Sequence, residues 1–259
     1  MATNIKPTLI IVGGAFHTPQ SYERLTVALE ATGYEVHVPR LPSCNEMHPP
    51  NADLSSDTKL IRSYVESLVR AGRTVIAIGH SYGGQVCSNA LHGLGVEARS
   101  SKGLRGGVSK HIYLVGYALP EGLSTLDKFK EFRNIENVPL VFDMTEDQTV
   151  VPRDPRMLFG LRGPGVDDAE AEEYVKTLCR WHGKAMFQPL EHAAWRDIPA
   201  AYIHTTSDMS IPTPEQQNMA KGLEEAGRKV QTFTVESGHC PNFVAAQGVV
   251  DAVNEVVLS

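Results

Sequence analysis

The segment VIAIGHSYGGQV, residues 75–86, places a small hydroxyl between two glycines directly after an apolar run. Residues 75–78 predict a short buried strand, and a helical pattern follows the glycines, so the chain must turn sharply between the two. Ser81 lies at the apex of this turn, where Gly79 and Gly83 allow backbones to approach closely. The segment therefore predicts a strained serine between a strand and a helix.

Other apolar, β-branched runs alternate with helical patterns along the chain. Together they predict six strands, at residues 8–12, 35–38, 74–78, 111–115, 201–204 and 230–235. Strands that alternate with helices build a mostly parallel sheet covered on both faces. The final stretch, residues 243–258, carries valines at helical spacing and is predicted to pack back onto the sheet. The expected fold class is α/β, with a six-stranded sheet flanked by helices.

One connection is much longer than an ordinary link between elements. Residues 120–195 leave the predicted sheet and are interpreted as an inserted, largely helical cap, with a helix over residues 168–179. The core domain then consists of residues 1–119 and 196–259. The apolar side chains of the cap either form its own core or line an apolar pocket; they are Phe142, Met144, Met157, Leu158, Phe159, Trp181, Met186 and Phe187.

A serine hydroxyl is a weak nucleophile until a base removes its proton and a third group orients that base. Two loops supply candidates, because Asp208 follows the fifth predicted strand and His239 follows the sixth. Loops at the carboxyl ends of parallel strands converge on one edge, so both residues are predicted to meet Ser81 there. Glu121 is the alternative acid, and the alternative role of Asp208 is to cap the helix predicted over residues 214–226.

Chemistry at a carbonyl group also needs two N–H donors that face the developing negative charge. The N–H of Tyr82, directly after the serine, is the first candidate. The second lies in the turn after the first strand, where Ala15 is preferred to Phe16. His17 either orders this turn or lines the pocket, and the candidate substrate-contacting residues are Gly14, His17, Met144, Phe159 and Trp181.

Together these motifs resemble the α/β-hydrolases, in which serine, acid and histidine occur in this chain order. The sequence is most similar to the small capped subfamily that includes plant methylesterases, hydroxynitrile lyases and fungal or bacterial esterase-like proteins. One departure is Gly13, where the subfamily often has histidine. The resemblance covers nearly the full length and is carried by residues 14–19, 41–43, 79–84, 194–195, 198–199, 208, 211–212, 216 and 238–239.

The resemblance implies a serine hydrolase that cleaves a carboxylic ester or lactone of a small, largely apolar molecule through an acyl-enzyme, without a cofactor. A hydroxynitrile lyase is the first alternative. That group has a lysine after the catalytic histidine and a threonine in the oxyanion turn, where this chain has Cys240 and Gly14. A small-molecule receptor that retains the triad is the second alternative.

Composition narrows the expected partners. The formal net charge is −6, and no block of Lys and Arg is long enough to bind a phosphate backbone, so nucleic acid is not expected. The four cysteines form no CxxC pair and the histidines show no HxxxH spacing, so no metal is expected.

No segment reaches transmembrane length, and the first residues lack a secretory apolar region. We expect a cytoplasmic protein with a small-molecule substrate, no membrane contact and a possible homodimer.

Overall fold

A computed structural model describes residues 6–163 and 166–259 of the chain. The expectation about the first residues, and the end of the Pro- and Gly-rich stretch at residues 161–165 of the predicted cap, lie outside this description. The strands are β1 (Thr8–Val12), β2 (Glu35–His37), β3 (Thr74–His80), β4 (Gly107–Leu114), β5 (Phe142–Met144), β6 (Thr149–Pro152), β7 (Trp181–His182), β8 (Ala200–Thr205) and β9 (Val230–Val235).

The helices lie between and after these strands. They are α1 (Glu23–Ala31), α2 (Leu54–Arg70), α3 (Tyr82–Ala90), α4 (Val96–Ser100), α5 (Thr125–Glu131), α6 (Val138–Val141), α7 (Pro155–Leu158), α8 (Asp168–Val175), α9 (Thr213–Glu225), α10 (Pro241–Val244) and α11 (Ala246–Leu258).

Six of the strands form one parallel sheet in the order β2-β1-β3-β4-β8-β9. This confirms the predicted mostly parallel, six-stranded sheet. β4 begins at Gly107, four residues before its predicted start, because the half-buried Ser109 and Lys110 interrupt the apolar pattern there. In register, Val12 lies opposite Gly79, which brings the carboxyl ends of β1 and β3 side by side.

The core lies on both faces of this sheet. Successive strand residues point to opposite faces, so in β1 Ile10 and Val12 pack on the side of α2 and α3, whereas Leu9 and Ile11 pack on the side of α1 and α11. These four residues are completely buried. Helices on both faces leave the carboxyl edge of the strands as the place where loops can gather.

The segment between β4 and β8 contains α5 to α8 and a three-stranded antiparallel sheet in the order β5-β6-β7. The prediction of a largely helical cap did not include this sheet. Its strands are only two to four residues long, and Pro152 makes the sequence of β6 look unlike a strand. Proline is tolerated there because β7 pairs only with Thr149 and Val150, which leaves β6 an edge strand at Pro152. In residues 6–163 and 166–259, no helix is both long and apolar enough to cross a membrane.

Candidate active site

Ser81 occupies the tight turn between β3 and α3. Its φ of +52° lies in a region that residues with a side chain rarely adopt. The turn is possible because a Cβ on Gly79 would lie 2.7 Å from the Gly84 Cα, and one on Gly83 would lie 2.1 Å from the Val12 carbonyl oxygen. The structure therefore has the strained strand-to-helix turn that the sequence predicted.

Ser81, His239 and Asp208 lie in hydrogen-bonding contact at the carboxyl edge of the sheet. The Nε2 atom of His239 is 2.9 Å from the Ser81 Oγ, and its Nδ1 atom is 2.8 Å from the Asp208 Oδ2. All three side chains are almost completely buried. The loops after β8 and β9 thus bring to the serine the two residues that their positions in the sequence suggested.

The surroundings of Asp208 determine the tautomer of the histidine. Its Oδ1 accepts hydrogen bonds from the backbone N–H groups of Ser210 (2.7 Å) and Ile211 (2.8 Å), which fixes the carboxylate. A carboxylate only accepts hydrogen bonds, so the His239 Nδ1–H donates to Oδ2. The Nε2 atom is then left to accept the hydroxyl proton of Ser81, as a general base requires.

The alternative acid, Glu121, is engaged elsewhere. Its carboxylate accepts hydrogen bonds from the Arg196 guanidinium at 2.8 and 3.0 Å and from the Ala193 N–H at 3.1 Å. The hydrogen bond from Arg196 lowers the pKa of Glu121 to about 2. Within the described residues it makes no hydrogen bond to His239, so the geometry favours Asp208 as the partner of the histidine.

The turn after β1 leaves two N–H groups available beside the serine. The Gly14 N–H donates to the Tyr22 Oη at 2.9 Å, and the His17 N–H donates to the Gly14 carbonyl at 3.3 Å. By contrast, the backbone N–H groups of three residues that line the cavity at Ser81 donate no hydrogen bond within the described part of the chain: Ala15, Phe16 and Tyr82. Tyr82 with either Ala15 or Phe16 can therefore supply the two donors.

A buried chain of hydrogen bonds connects this turn to the histidine loop. The Tyr22 hydroxyl, which accepts from Gly14, donates to the His80 Nδ1 at 2.7 Å, and the His80 Nε2–H donates to the His239 carbonyl at 2.8 Å. Burial holds the pKa of His80 well below its usual range, so the ring is neutral. Sequence reasoning missed this network, because the partners of His80 lie 58 and 159 residues away along the chain.

A second buried network lies beneath Tyr82. Asp57, on α2, accepts hydrogen bonds from the Ser43 N–H (2.9 Å), the Ser43 hydroxyl (2.5 Å) and the Tyr82 hydroxyl (2.8 Å). The Trp181 indole N–H donates to the Ser43 Oγ at 3.1 Å. Complete burial raises the pKa of Asp57 to about 6. The carboxylate thus connects the serine turn with β7 of the predicted cap, a connection that sequence reasoning missed.

Ser81 opens into a narrow cavity of about 30 Å³, hereafter the inner cavity. Phe159 and Trp181, two of the candidate substrate contacts, line this cavity, and the Phe159 ring stacks on the His239 ring at 5.8 Å. Sequence reasoning did not identify Tyr117, Thr125, Phe129 or Ser210, which come from loops and helices that only tertiary packing brings together. The remaining lining residues are Ala15, Phe16, Ser81, Tyr82, Phe142, Met186 and His239.

Three predicted substrate contacts lie elsewhere. Gly14 packs against the serine, where a Cβ would be 2.9 Å from the Ser81 Cβ, and it does not line the cavity. His17 is buried behind the turn, with its Nδ1–H donating to the Ala15 carbonyl at 2.6 Å, and burial lowers its pKa to about 3. Met144 ends β5 and is 39% exposed on the outside. His17 therefore orders the turn, one of its two predicted roles.

Comparison with known proteins agrees with this fold. The model of the alpha/beta hydrolase family matches residues 9–252. A protein named probable hydrolase, from Phoma sp., is 26% identical over 253 residues, covering 97% of this chain and 98% of its own length. A solved pyrethroid hydrolase from Sphingobium faniae superposes with a TM-score of 0.73 at 20% identity, covering 98% of both chains. A methylesterase from Arabidopsis gives a TM-score of 0.73 at 17% identity, covering 96% of this chain and 98% of that one.

The chain belongs to the alpha/beta hydrolase family. The resemblance to esterase-like α/β-hydrolases that was drawn from the motifs is thereby confirmed.

Within the described residues there is no group of three or more His, Cys, Asp and Glu side chains arranged to hold a metal ion.

Proposed function

We propose that this chain is a serine hydrolase that cleaves a carboxylic ester or lactone of a small, largely apolar molecule through an acyl-enzyme on Ser81. The observation that carries the proposal is the continuous contact from Asp208 through His239 to the Ser81 Oγ, next to open N–H donors. Relatives and neighbours named as hydrolases and esterases support ester cleavage as the class of reaction.

The mechanism follows from the positions of the protons. His239 Nε2 takes the proton of the Ser81 hydroxyl as Oγ attacks the carbonyl carbon, and the resulting oxyanion accepts hydrogen bonds from the Tyr82 N–H and from the Ala15 or Phe16 N–H. As the C–O bond breaks, the histidine returns the proton to the leaving alcohol and an acyl-enzyme remains. Water, deprotonated by the same histidine, then releases the acid and restores Ser81.

Cys240 is the observation that favours hydrolysis over cyanohydrin cleavage. Its thiol is completely buried, and burial raises its pKa, so the group is neutral. A thiol carries no positive charge in either protonation state, so Cys240 cannot receive a departing cyanide as a lysine ammonium would. The Sγ atom instead lies 3.4 Å from the His17 Nε2. Hydrolysis, in contrast, needs only the nucleophile, the base and the backbone donors.

The test uses a panel of neutral esters, lactones and thioesters with wild type and Ser81→Ala. We expect multiple-turnover hydrolysis by wild type, a loss of all of it in Ser81→Ala with an unchanged circular dichroism spectrum, and phosphonate labelling at Ser81 alone. Mandelonitrile cleavage should stay at background. Hydrolysis that stops after one turnover would support the receptor alternative, and Ser81-dependent cyanohydrin cleavage faster than any ester hydrolysis would support the lyase.

A further inference from the structure

A second cavity, hereafter the outer cavity, lies beside the inner one. Its volume is about 320 Å³. It is bounded on one side by the segment from α5 to β5 and α7, and on the other by the loop between β8 and α9. Its lining residues are Phe129, Asn134, Asn137, Val138, Leu140, Val141, Phe142, Leu158, Met209, Ser210 and Pro212.

The two cavities share a wall. Phe129, Phe142 and Ser210 line both of them. The Phe142 ring stacks on Phe16 of the oxyanion turn at 5.6 Å, and the Ser210 N–H donates to Asp208, the partner of His239. The boundary between the cavities is therefore built on the same elements that hold the reacting groups.

The lining of the outer cavity is uncharged. Seven of its eleven residues are apolar side chains other than proline, and none is Asp, Glu, Lys, Arg or His. The Asn134 amide donates to Glu215, and the Asn137 amide donates to the Asn134 Oδ1 at 3.4 Å, so both amides already have partners. A charged ligand group would lose its hydration here without meeting an opposite charge.

The mouth of the outer cavity exposes two large apolar side chains. Leu140 is 70% exposed and Met209 is 61% exposed, and they belong to opposite walls. Exposed apolar surface at the rim of a cavity is typical of a binding site. An apolar chain that lay between the two side chains would remove both from water.

The volumes of the inner and outer cavities indicate which part of a substrate each can hold. A cavity of about 30 Å³ has room for about two water molecules, whereas pockets for small ligands typically measure about 300–1,000 Å³. Of these two neighbouring cavities, the outer one, at about 320 Å³, reaches this range. The bulk of a substrate whose scissile carbonyl meets Ser81 must therefore lie outside the inner cavity.

We propose that the outer cavity binds an uncharged, apolar arm of the ester substrate, and that Leu140 and Met209 make this chain selective for substrates with such an arm. The inference rests on the proposed function, since it assigns the arm to the ester cleaved at Ser81. It identifies the substrate class as neutral esters with a long aliphatic or aryl arm on one side of the carbonyl.

The experiment measures kcat/KM for two series of esters. One series varies the acyl chain of 4-nitrophenyl esters from acetate to decanoate, and the other varies the alkyl group of acetate esters from ethyl to decyl. The proteins are wild type, the double variant Leu140→Ser with Met209→Ser, and the control Leu104→Ser. Leu104 is 48% exposed and lines neither cavity.

In wild type, kcat/KM in one series should rise by up to about fourfold per added methylene until the arm fills the cavity. The double variant should lower the ratio of the longest to the shortest substrate by about tenfold, and the control should keep the wild-type ratio. A terminal carboxylate on the longest arm should abolish the gain. Equal ratios in all three proteins, or no dependence on chain length in either series, would overturn the inference.

Binding distinguishes this inference from the proposed function. Alkyl phenyl ethers of matching length contain no scissile carbonyl, and their affinity for Ser81→Ala is measured by calorimetry. One outcome separates the two proposals: no ester is turned over, long ethers bind more tightly than short ones, and Leu140→Ser with Met209→Ser removes that difference. The cavity assignment then stands and the hydrolase proposal fails. If the substitutions change the sedimentation coefficient and not the selectivity, the patch is a contact between copies and the assignment is wrong.

Discussion

Asp208 and Glu121 carry the same functional group, but their roles differ because different hydrogen-bond donors surround each carboxylate. Asp208 has backbone N–H groups on one oxygen and His239 on the other, whereas Glu121 is paired with Arg196 at the surface. The same functional group is therefore a candidate catalytic partner in one loop and part of a surface ion pair in another.

Replacing each carboxylate by its amide tests this assignment. Asp208→Asn should lower kcat by about 10⁴, because the amide no longer stabilises the imidazolium or the required tautomer. Glu121→Gln should change kcat by less than about threefold, since it only weakens an exposed ion pair. Both are measured on the best ester of the panel. A crippled Glu121→Gln with a nearly normal Asp208→Asn would reverse the assignment.

Among the secondary-structure elements, the β3–α3 turn depends most on close packing. α3 begins directly after Ser81, and its first turn lies against the end of β1. Any side chain at Gly83 must displace backbone there, because the nearest atom to its Cβ would be the Val12 carbonyl oxygen at 2.1 Å. Ser81 is thus positioned by contact between backbones.

Two glycine-to-alanine substitutions separate packing from helix propensity. Gly83→Ala should lower the free energy of unfolding by about 3 kcal/mol or more, because the clash is with backbone. Gly222→Ala, at an exposed site in α9 with no atom within 4 Å of the added Cβ, should raise it by about 1 kcal/mol. Urea titrations give both values. A tolerated Gly83→Ala would contradict the close approach of α3 to β1.

How far the elements could be predicted depended on the range of the interactions that form them. The strand ends that position Ser81, Asp208 and His239 follow from local apolar runs and turn residues, so the site could be predicted from short segments. The cap sheet could not be predicted, because β5 and β6 pair across a turn, β6 and β7 pair across the two helices α7 and α8, and all three strands are too short to show a period. Met144, a candidate pocket residue, lies outside the inner cavity for the same reason, because its orientation depends on that sheet.

Across the whole molecule, buried titratable groups act on stability in opposite directions. His17 and His111 have their pKa lowered to about 3 by burial, so each stabilises the fold above its unfolded pKa and less as the pH falls. Asp57 acts the other way, because its folded pKa of about 6 lies above its unfolded value. Only a comparison of variants can isolate the contribution of Asp57.

Asp57→Asn should therefore change the slope of stability against pH. A group whose pKa is raised on folding contributes stability at low pH and loses it as the pH rises through the folded pKa. With a folded pKa of about 6, wild type should lose about 1 kcal/mol relative to Asp57→Asn between pH 5 and pH 8. The histidine contributions are common to both proteins and cancel in this difference.

The constant cost of placing an amide among the three donors from Ser43 and Tyr82 also cancels, because only the change with pH is compared. The free energies come from urea titrations at the two pH values. Asp251→Asn, at an exposed carboxylate on α11, is the matched control and should keep the wild-type slope. Parallel profiles for wild type and Asp57→Asn would mean that Asp57 does not titrate in this range, and that the carboxylate beneath Tyr82 is stabilised by its three donors more than burial opposes it.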